Sequence, residues 1–463
     1  MLNHSLQKSI RTALRAMLCV LLCLSLCGCS MTLFDVEKLM QPPQATGNKE
    51  ALHKLLLEDA GSPLEFVYPR SGDYRSAVIT SAFAGGAVTG SIAFCENKTG
   101  GTTLYFTIFD GQNWQIVGKV ENPSSQVDRV CFGDLDHDNQ DEVVVSWGSV
   151  QSLSSILSVY DYHDNTVDEY NLDRPYGEFA VTDLDDDGQS ELFVAEAYTP
   201  TAKTETNFAA VESPPLALLY RLRNQQLEIY MAVELDSEVV RYSQLTVTPI
   251  AQYQSGTMVV LDGVRGDNTM VTQLVYVNNA KNALITPLSD TTNITERPSS
   301  SGILAQDIDG DGVLEIPVVR QMPLPSDTQP QAVSYIVSWQ KFFPGQNSTQ
   351  TVSNTVINAT DGYRFEMPDA WLTGTVTFLY DDSTGTLTVY RVERPENIPM
   401  LGAALLHIRR YTREEWNSLA ETENYSIVYE SGNTIFAAAI PSPEDELSIT
   451  LEEVTDRLIP LTE

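Results

Sequence analysis

Between residues 64 and 357 the apolar positions fall in short runs rich in Val, Ile, Tyr and Phe, broken by Gly, Asn, Asp and Ser. That is the pattern of strands, not of helices. Three segments align without gaps: VDRVCFGDLDHDNQDEVVVSW from Val127, YGEFAVTDLDDDGQSELFVAE from Tyr176 and SSGILAQDIDGDGVLEIPVVR from Ser300. Each predicts a strand, a nine-residue acidic loop and a second strand. Two more segments, SAVITSAFAGGAVTGSIAF from Ser76 and YSQLTVTPIAQYQSGTMVVL from Tyr242, share the flanking strands but not the acids. With loop position one at Ala82, Asp134, Asp183, Thr248 and Asp307, the units repeat at intervals of 52, 49, 65 and 59 residues. Two further strand-like runs follow each loop. They are Thr103–Phe109 and Trp114–Val120, Ile156–Tyr162 and Val167–Leu172, Ala217–Arg223 and Leu227–Val233, Val271–Val277 and Ala283–Leu288, and Val333–Trp339 and Thr351–Ile357. Four short antiparallel strands per unit, five units in a row, predict a mainly β chain folded as a five-bladed β-propeller over 64–357.

The flanks differ. Asn48–Ala60 carries Leu52, Leu55, Leu56 and Leu57 behind an Asn start, which predicts a short amphipathic helix ending at Gly61-Ser62-Pro63. Beyond residue 358 the acidic motif stops. Strands are expected at Gly362–Pro368, Gly374–Tyr380 and Gly385–Val392, and a hairpin joins Tyr425–Tyr429 to Thr434–Ile440. Thr412-x-x-Glu415 reads as a capping box, and Ser442-Pro443-x-Asp445 as the cap of a last helix running to about Arg457. This makes 358–463 a small α+β domain. Its Gly362-Tyr363-x-Phe365-x-x-Pro368-x-x-Trp371 resembles the PsbP/Mog1-like fold.

Charge narrows the function. Of 463 residues, 28 are Lys or Arg and 62 are Asp or Glu, a net charge of −34. A nucleic-acid binder neutralises phosphates with cations, so nucleic acid is excluded as a partner. With 42% hydrophobic and 9% aromatic residues the chain is no disordered acidic tail.

Residues 1–28 hold Lys8, Arg11 and Arg15 and no acid, followed by an apolar run too short to span a bilayer and then Leu26-Cys27-Gly28-Cys29. This resembles the lipobox of bacterial lipoproteins. The resemblance implies cleavage before Cys29 and a diacylglycerol thioether on its sulfur, hence a chain anchored by lipid at the outer face of a cell membrane. Residues 29–63 would then be lipidated Cys, tether and helix. Three cations leave with the signal, so the mature charge becomes −37. Cys95 and Cys131 remain in strand-like runs and read as free thiols rather than a disulfide.

The acidic loops carry the chemistry. They follow D-x-D-x-D-[GN]-x-x-E: Asp134, Asp136, Asp138, Gln140 and Glu142; Asp183, Asp185, Asp187, Gln189 and Glu191; Asp307, Asp309, Asp311, Val313 and Glu315. Carboxylates at positions one, three, five and nine, with the backbone carbonyl of position seven, supply the hard oxygens that Ca²⁺ takes. Position six, Asn139, Gly188 or Gly312, has to turn with positive φ. Such carboxylates repel one another unless a cation joins them. Mg²⁺ demands a stricter octahedron, and Zn²⁺ would lack its usual Cys and His ligands. Up to three structural Ca²⁺ are expected. Position twelve is Val145, Val194 or Val318, so these are not EF-hands. The repeats resemble FG-GAP/VCBS repeats, the calcium-loop blades of integrin-α-type propellers, and Phe132-Gly133 resembles the motif's naming dipeptide. The order of lipobox, tether, helix and blades is similar to that of Firmicutes lipoproteins. The acid-free loops at Ala82, Ala84, Gly86, Gly90 and at Thr248, Ile250, Gln252, Gly256 should hold no metal.

The sequence carries no HExxH, G-x-S-x-G or P-loop motif, and four histidines follow residue 28: His53, His137, His163 and His407. The expected function is a binding or assembly module for an envelope protein or glycan. The alternative is a propeller hydrolase or lyase acting on cell-wall or extracellular polysaccharide, marked by convergent carboxylates outside the loops and aromatics able to stack a sugar.

Overall fold

A computed structural model describes residues 48–461 except 62, 86–87, 149–155, 173, 198–213, 252–255, 289–293 and 420–423. The segments expected to be signal sequence and tether, with Cys29, lie outside the described residues.

The helix α1 spans Asn48–Ala60, as the leucine spacing predicts, with Leu52 and Leu56 buried one turn apart. By contact it falls in one unit with Gly111–Trp114, and Glu65–Asp110 with Gln115–Glu463 form the other.

The larger unit is mainly β, built from successive antiparallel sheets. The first contains β1 (Val78–Ser81), β2 (Thr89–Glu96), β3 (Thr102–Phe109) and β4 (Trp114–Asn122) in that order. The second contains β5 (Gln126–Gly133), β6 (Glu142–Gly148), β7 (Ile156–His163) and β8 (Thr166–Asn171). The third contains β9 (Glu178–Thr182), β10 (Glu191–Ala195), β11 (Leu216–Arg223) and β12 (Gln226–Glu234). The fourth contains β13 (Val239–Pro249), β14 (Thr257–Arg265), β15 (Thr269–Asn278) and β16 (Ala283–Ile285), with β17 (Arg297–Pro298) beside β15. All four are meanders, the order that short turns between consecutive strands impose. The burial pattern shows why they pack. The second strands are buried on both faces (Glu142–Gly148 and Glu191–Ala195 throughout), whereas the fourth strands alternate. Each sheet shares a core with the next. Phe94 and Phe106 of the first meet Trp147 and Tyr160 of the second, and Val144 and Val159 of the second meet Leu192 and Leu218 of the third.

The fifth sheet departs from the expected unit. It contains β18 (Ile316–Gln321), β19 (Tyr335–Phe343), β20 (Ser348–Asn358), β21 (Tyr363–Glu366) and, from the far end of the chain, β27 (Leu458–Pro460). The strand expected before the third acidic loop, at SSGILAQ, is reduced to a single bridge between Gln306 and Glu315. Its backbone is engaged elsewhere. Arg297 Nε donates to the Ile303 carbonyl at 2.7 Å, and the Ala305 N–H donates to Asp262 at 2.8 Å. The loss leaves β18 at the sheet edge, where Pro317, which has no N–H to give, is tolerated. On the other side the sheet runs past residue 358, because β20 pairs with β21 from Asn358↔Tyr363 to Thr355↔Glu366.

The sixth sheet is ordered β22 (Val376–Asp381), β23 (Thr386–Glu393), β24 (Met400–Thr412), β26 (Thr434–Ala439) and β25 (Ser426–Ser431). The thirteen-residue β24 is not among the strands expected from the sequence. Between β24 and β25 lies α2 (Arg413–Ser418), and α3 (Leu451–Arg457) precedes β27. The Thr412–Glu415 capping box forms as expected. The last helix starts later than expected, capped by Thr450 and Glu453 rather than by Ser442. Thr450-x-x-Glu453 is itself the better capping box, since its glutamate reaches back to the cap N–H.

Candidate metal centre

The three acidic loops lead into β6, β10 and β18 at equivalent points of their units, and their backbone explains the spacing. Position one accepts the N–H groups that follow it. Asp134 takes His137 N at 2.6 Å and Asn139 N at 2.9 Å, Asp183 takes Asp187 N and Gly188 N, and Asp307 takes Gly310 N and Gly312 N. Position six has positive φ in all three (Asn139 66°, Gly188 89°, Gly312 86°), as the sequence required. Position four does too (His137 68°, Asp186 60°, Gly310 79°), which the motif had not revealed. Position nine closes each loop with one oxygen. Glu142, Glu191 and Glu315 accept the position-two N–H of Leu135, Leu184 and Ile308 at 2.6, 2.9 and 2.8 Å.

The loops also lock neighbouring units. The position-eight N–H donates to position one of the preceding unit: Asp141 to the Ala82 carbonyl, Ser190 to the Asp134 carbonyl and Leu314 to the Thr248 hydroxyl. Ala82 and Thr248 therefore keep a structural duty although their loops have no acids. Of the acid-free positions, Gly86 and Gln252 lie outside the described residues.

Three carboxylate groups could each hold a metal ion: Asp134, Asp136 and Glu142; Asp183, Asp185, Asp187 and Glu191; Asp307, Asp309 and Asp311. Within each group the candidate ligand atoms lie within 4.8 Å of one another. Asp138 and Glu315 stand beside these groups rather than in them. Asp138 accepts the Gln140 N–H at 2.7 Å and Glu315 is fully buried. Of the position-seven residues, Gln140 also donates its side chain to Asp138, Gln189 donates to the Leu135 carbonyl, and Val313 is buried.

The electrostatics separate loop one from the others. In loop two the Arg221 guanidinium, 4% exposed, pairs with Asp185 at 3.0 Å, with Asp187 at 2.7 Å and with Glu191, and lies 4.0 Å over the Tyr230 ring. In loop three the Lys341 ammonium reaches Asp309 at 3.1 Å, Asp311 at 2.6 Å and Glu315 at 3.0 Å. Loop one has no such partner: among the described residues no lysine or arginine pairs with Asp134, Asp136, Asp138 or Glu142. Burial, despite the Leu135 N–H and reinforced by Asp136, Asp161 and Asp138, pushes Glu142 up to about 9. Asp136, which still meets solvent, is lifted less, to about 6, by partial burial and by Asp138, Asp161 and Asp134. In loop three the Lys341 hydrogen bond holds Asp311 below its ordinary value. The cationic residues were invisible to the loop motif because they come from a different strand. Register is the signal that finds them.

Outside the loops, a cavity of about 750 Å³ opens beside β12, β14 and β15. Its carboxylates are Glu234, Asp236 and Glu238; the last two face Arg265, at 2.6 and 3.6 Å, and no aromatic residue is among the described lining residues. Cys95 and Cys131 are free thiols, their pKa values pushed up by burial to about 12 and about 11.

No protein-family model matches the chain, and no curated protein matches it. Among solved structures it is similar to the Pseudomonas aeruginosa periplasmic gluconolactonase PpgL, at 12% identity and a TM-score of 0.27, covering 69% of this chain and 82% of that one. It is also similar to the Dos1 propeller, at 12% identity and a TM-score of 0.30, covering 76% of this chain; it spans 64% of that structure's length.

Proposed function

We propose that this protein is a lipid-anchored, extracytoplasmic binding module whose repeated sheets are propeller blades of the FG-GAP/VCBS kind, braced by a divalent cation at loop one, with Ca²⁺ as the ion. The observation that carries it is the gathering of Asp134, Asp136 and Glu142 without a countercharge, in a loop that also bonds its neighbours. The acids thus shape a loop whose backbone joins neighbouring sheets. The partner is an envelope protein or a glycan. The polysaccharide-hydrolase alternative has one point in its favour, the three carboxylates of the 750 Å³ cavity. Two of them, Asp236 and Glu238, are held by Arg265, and no sugar-stacking ring accompanies them among the described residues, so binding is the better reading.

Two measurements test it. Extracellular Ca²⁺ modules have Kd near 0.1–1 mM, so about 1 mM ion stabilises an occupied site by ~0.4–1.4 kcal/mol. The melting temperature at pH 7 should rise with Ca²⁺ and fall with chelator. The pH dependence has a definite sign. Glu142 and Asp136 have raised pKa values, so in the metal-free fold their contribution is fully present below the ordinary carboxylate range. It is lost as pH rises through about 6 for Asp136 and about 9 for Glu142. Metal needs both ionised, so the Ca²⁺-induced shift should be larger at pH 7 than at pH 5. No shift at either pH removes the metal. Separately, cells fed a labelled fatty acid should label the wild-type chain and not Cys29→Ser. Equal labelling of the two would remove the anchor at that residue.

A further inference from the structure

We infer that the residue facing position nine on the third strand of each unit decides what occupies the acidic loop. Asp161 makes loop one a cation site and adds a carboxylate to it, while Arg221 and Lys341 stand in place of an ion in loops two and three. The inference rests on the metal reading of loop one and deepens it.

Register carries the argument. Val143 pairs with Tyr160, Leu192 with Tyr220 and Ile316 with Gln340, so the next residue along each third strand falls opposite Glu142, Glu191 and Glu315. Those residues are Asp161, Arg221 and Lys341. Where position nine is glycine the facing residue is uncharged. Gly90 pairs with Ile108, and Gly256 falls opposite Asn278 by the same count. A charge therefore faces position nine only where position nine is a glutamate. In two of those three cases it is a cation seated among the loop's carboxylates, which shows that this point in the fold takes positive charge.

A tethered cation outcompetes a free one for two reasons. It acts at an effective concentration of the millimolar order or above, comparable with or exceeding free extracellular Ca²⁺. Displacing it would also leave a buried, unpaired guanidinium or ammonium, since Arg221 and Lys341 are only 4% and 9% exposed. Loop one has the opposite design. Asp161 is itself buried, and among the described residues its carboxylate hydrogen-bonds with His163, at 2.8 Å. Nearby, in the field of Asp161, Glu142 and Asp136, the Tyr170 hydroxyl is buried without a hydrogen-bond partner. An ion and its water shell would satisfy both.

Equilibrium dialysis of the full chain against Ca²⁺, with circular dichroism as the check on folding, tests this. One ion per chain is expected for the wild type, none for Asp161→Lys, and two for Lys341→Asp. Three ions in the wild type would overturn the inference while leaving the metal reading intact. So would an ion retained by Asp161→Lys, or no gain in a folded Lys341→Asp. No ion in the wild type but one in Lys341→Asp would overturn the metal reading of loop one and support the deciding role of the facing residue. No ion in either would overturn both. Should Lys341→Asp fail to fold, Asp161→Lys decides alone.

Discussion

Asp262→Ala should lower the free energy of unfolding by about 3–5 kcal/mol, the range for removing one partner of a buried ion pair. Asp262 and Arg297 are sealed from solvent at 1% and 0% side-chain exposure and meet at 2.7 Å. Every remaining polar group around them is committed. Thr272 donates to Asp262 at 2.5 Å, Ala305 N at 2.8 Å, and Arg297 donates to the carbonyls of Ile303 and Thr295. Alanine would strand a guanidinium in a dry interior and release the segment that leads into loop three. Denaturant titration followed by tryptophan fluorescence reads the loss. A change under about 1 kcal/mol, the level of an exposed pair, would mean that the site is not sealed. Asp262→Asn, which keeps an oxygen for Thr272 or for Ala305 but not for both, should fall between the two.

A comparable loss, about 3–5 kcal/mol, is expected for Trp371→Ala. Trp371 is fully buried where the fifth and sixth sheets share a core. Its ring stacks 5.9 Å from Phe365 of β21 and meets Phe378 of β22 edge-on at 5.9 Å. Its Nε1 donates to the Leu447 carbonyl at 2.9 Å. The alanine variant would open a cavity between the two sheets and orphan that carbonyl. Trp371→Phe fills most of the space and loses only the hydrogen bond, so its cost should be near 1 kcal/mol. Equal losses for the two variants would assign the effect to the hydrogen bond rather than to the cavity.

Most patterns with a local cause were legible. The helix at Asn48–Ala60 follows from leucine spacing, the hairpin from Ser426–Ser431 to Thr434–Ala439 from Gly432-Asn433, and positive φ at position six from Gly or Asn. Apart from the start of the last helix, where a local capping box at Thr450 was passed over, the misreadings share one feature, dependence on residues distant in sequence. SSGILAQ has strand composition, but Asp262 and Arg297 take its backbone groups before β18 can. Met400–Thr412 mixes apolar and charged residues without clean alternation, and becomes a strand because β23 and β26 flank it.

The acidic loops divide in the same way. Their order along the chain, their turn geometry and the convergence of their acids are written in nine consecutive residues, since an Asp at position one can cap only the N–H groups that follow it. Which positive charge those acids meet is not written there. It depends on a strand 19 to 30 residues further on, and only antiparallel pairing brings Asp161, Arg221 or Lys341 opposite the closing glutamate. Electrostatic interaction depends on distance through space, whereas a motif records distance along the chain. For that reason three loops alike in sequence are unlike in charge.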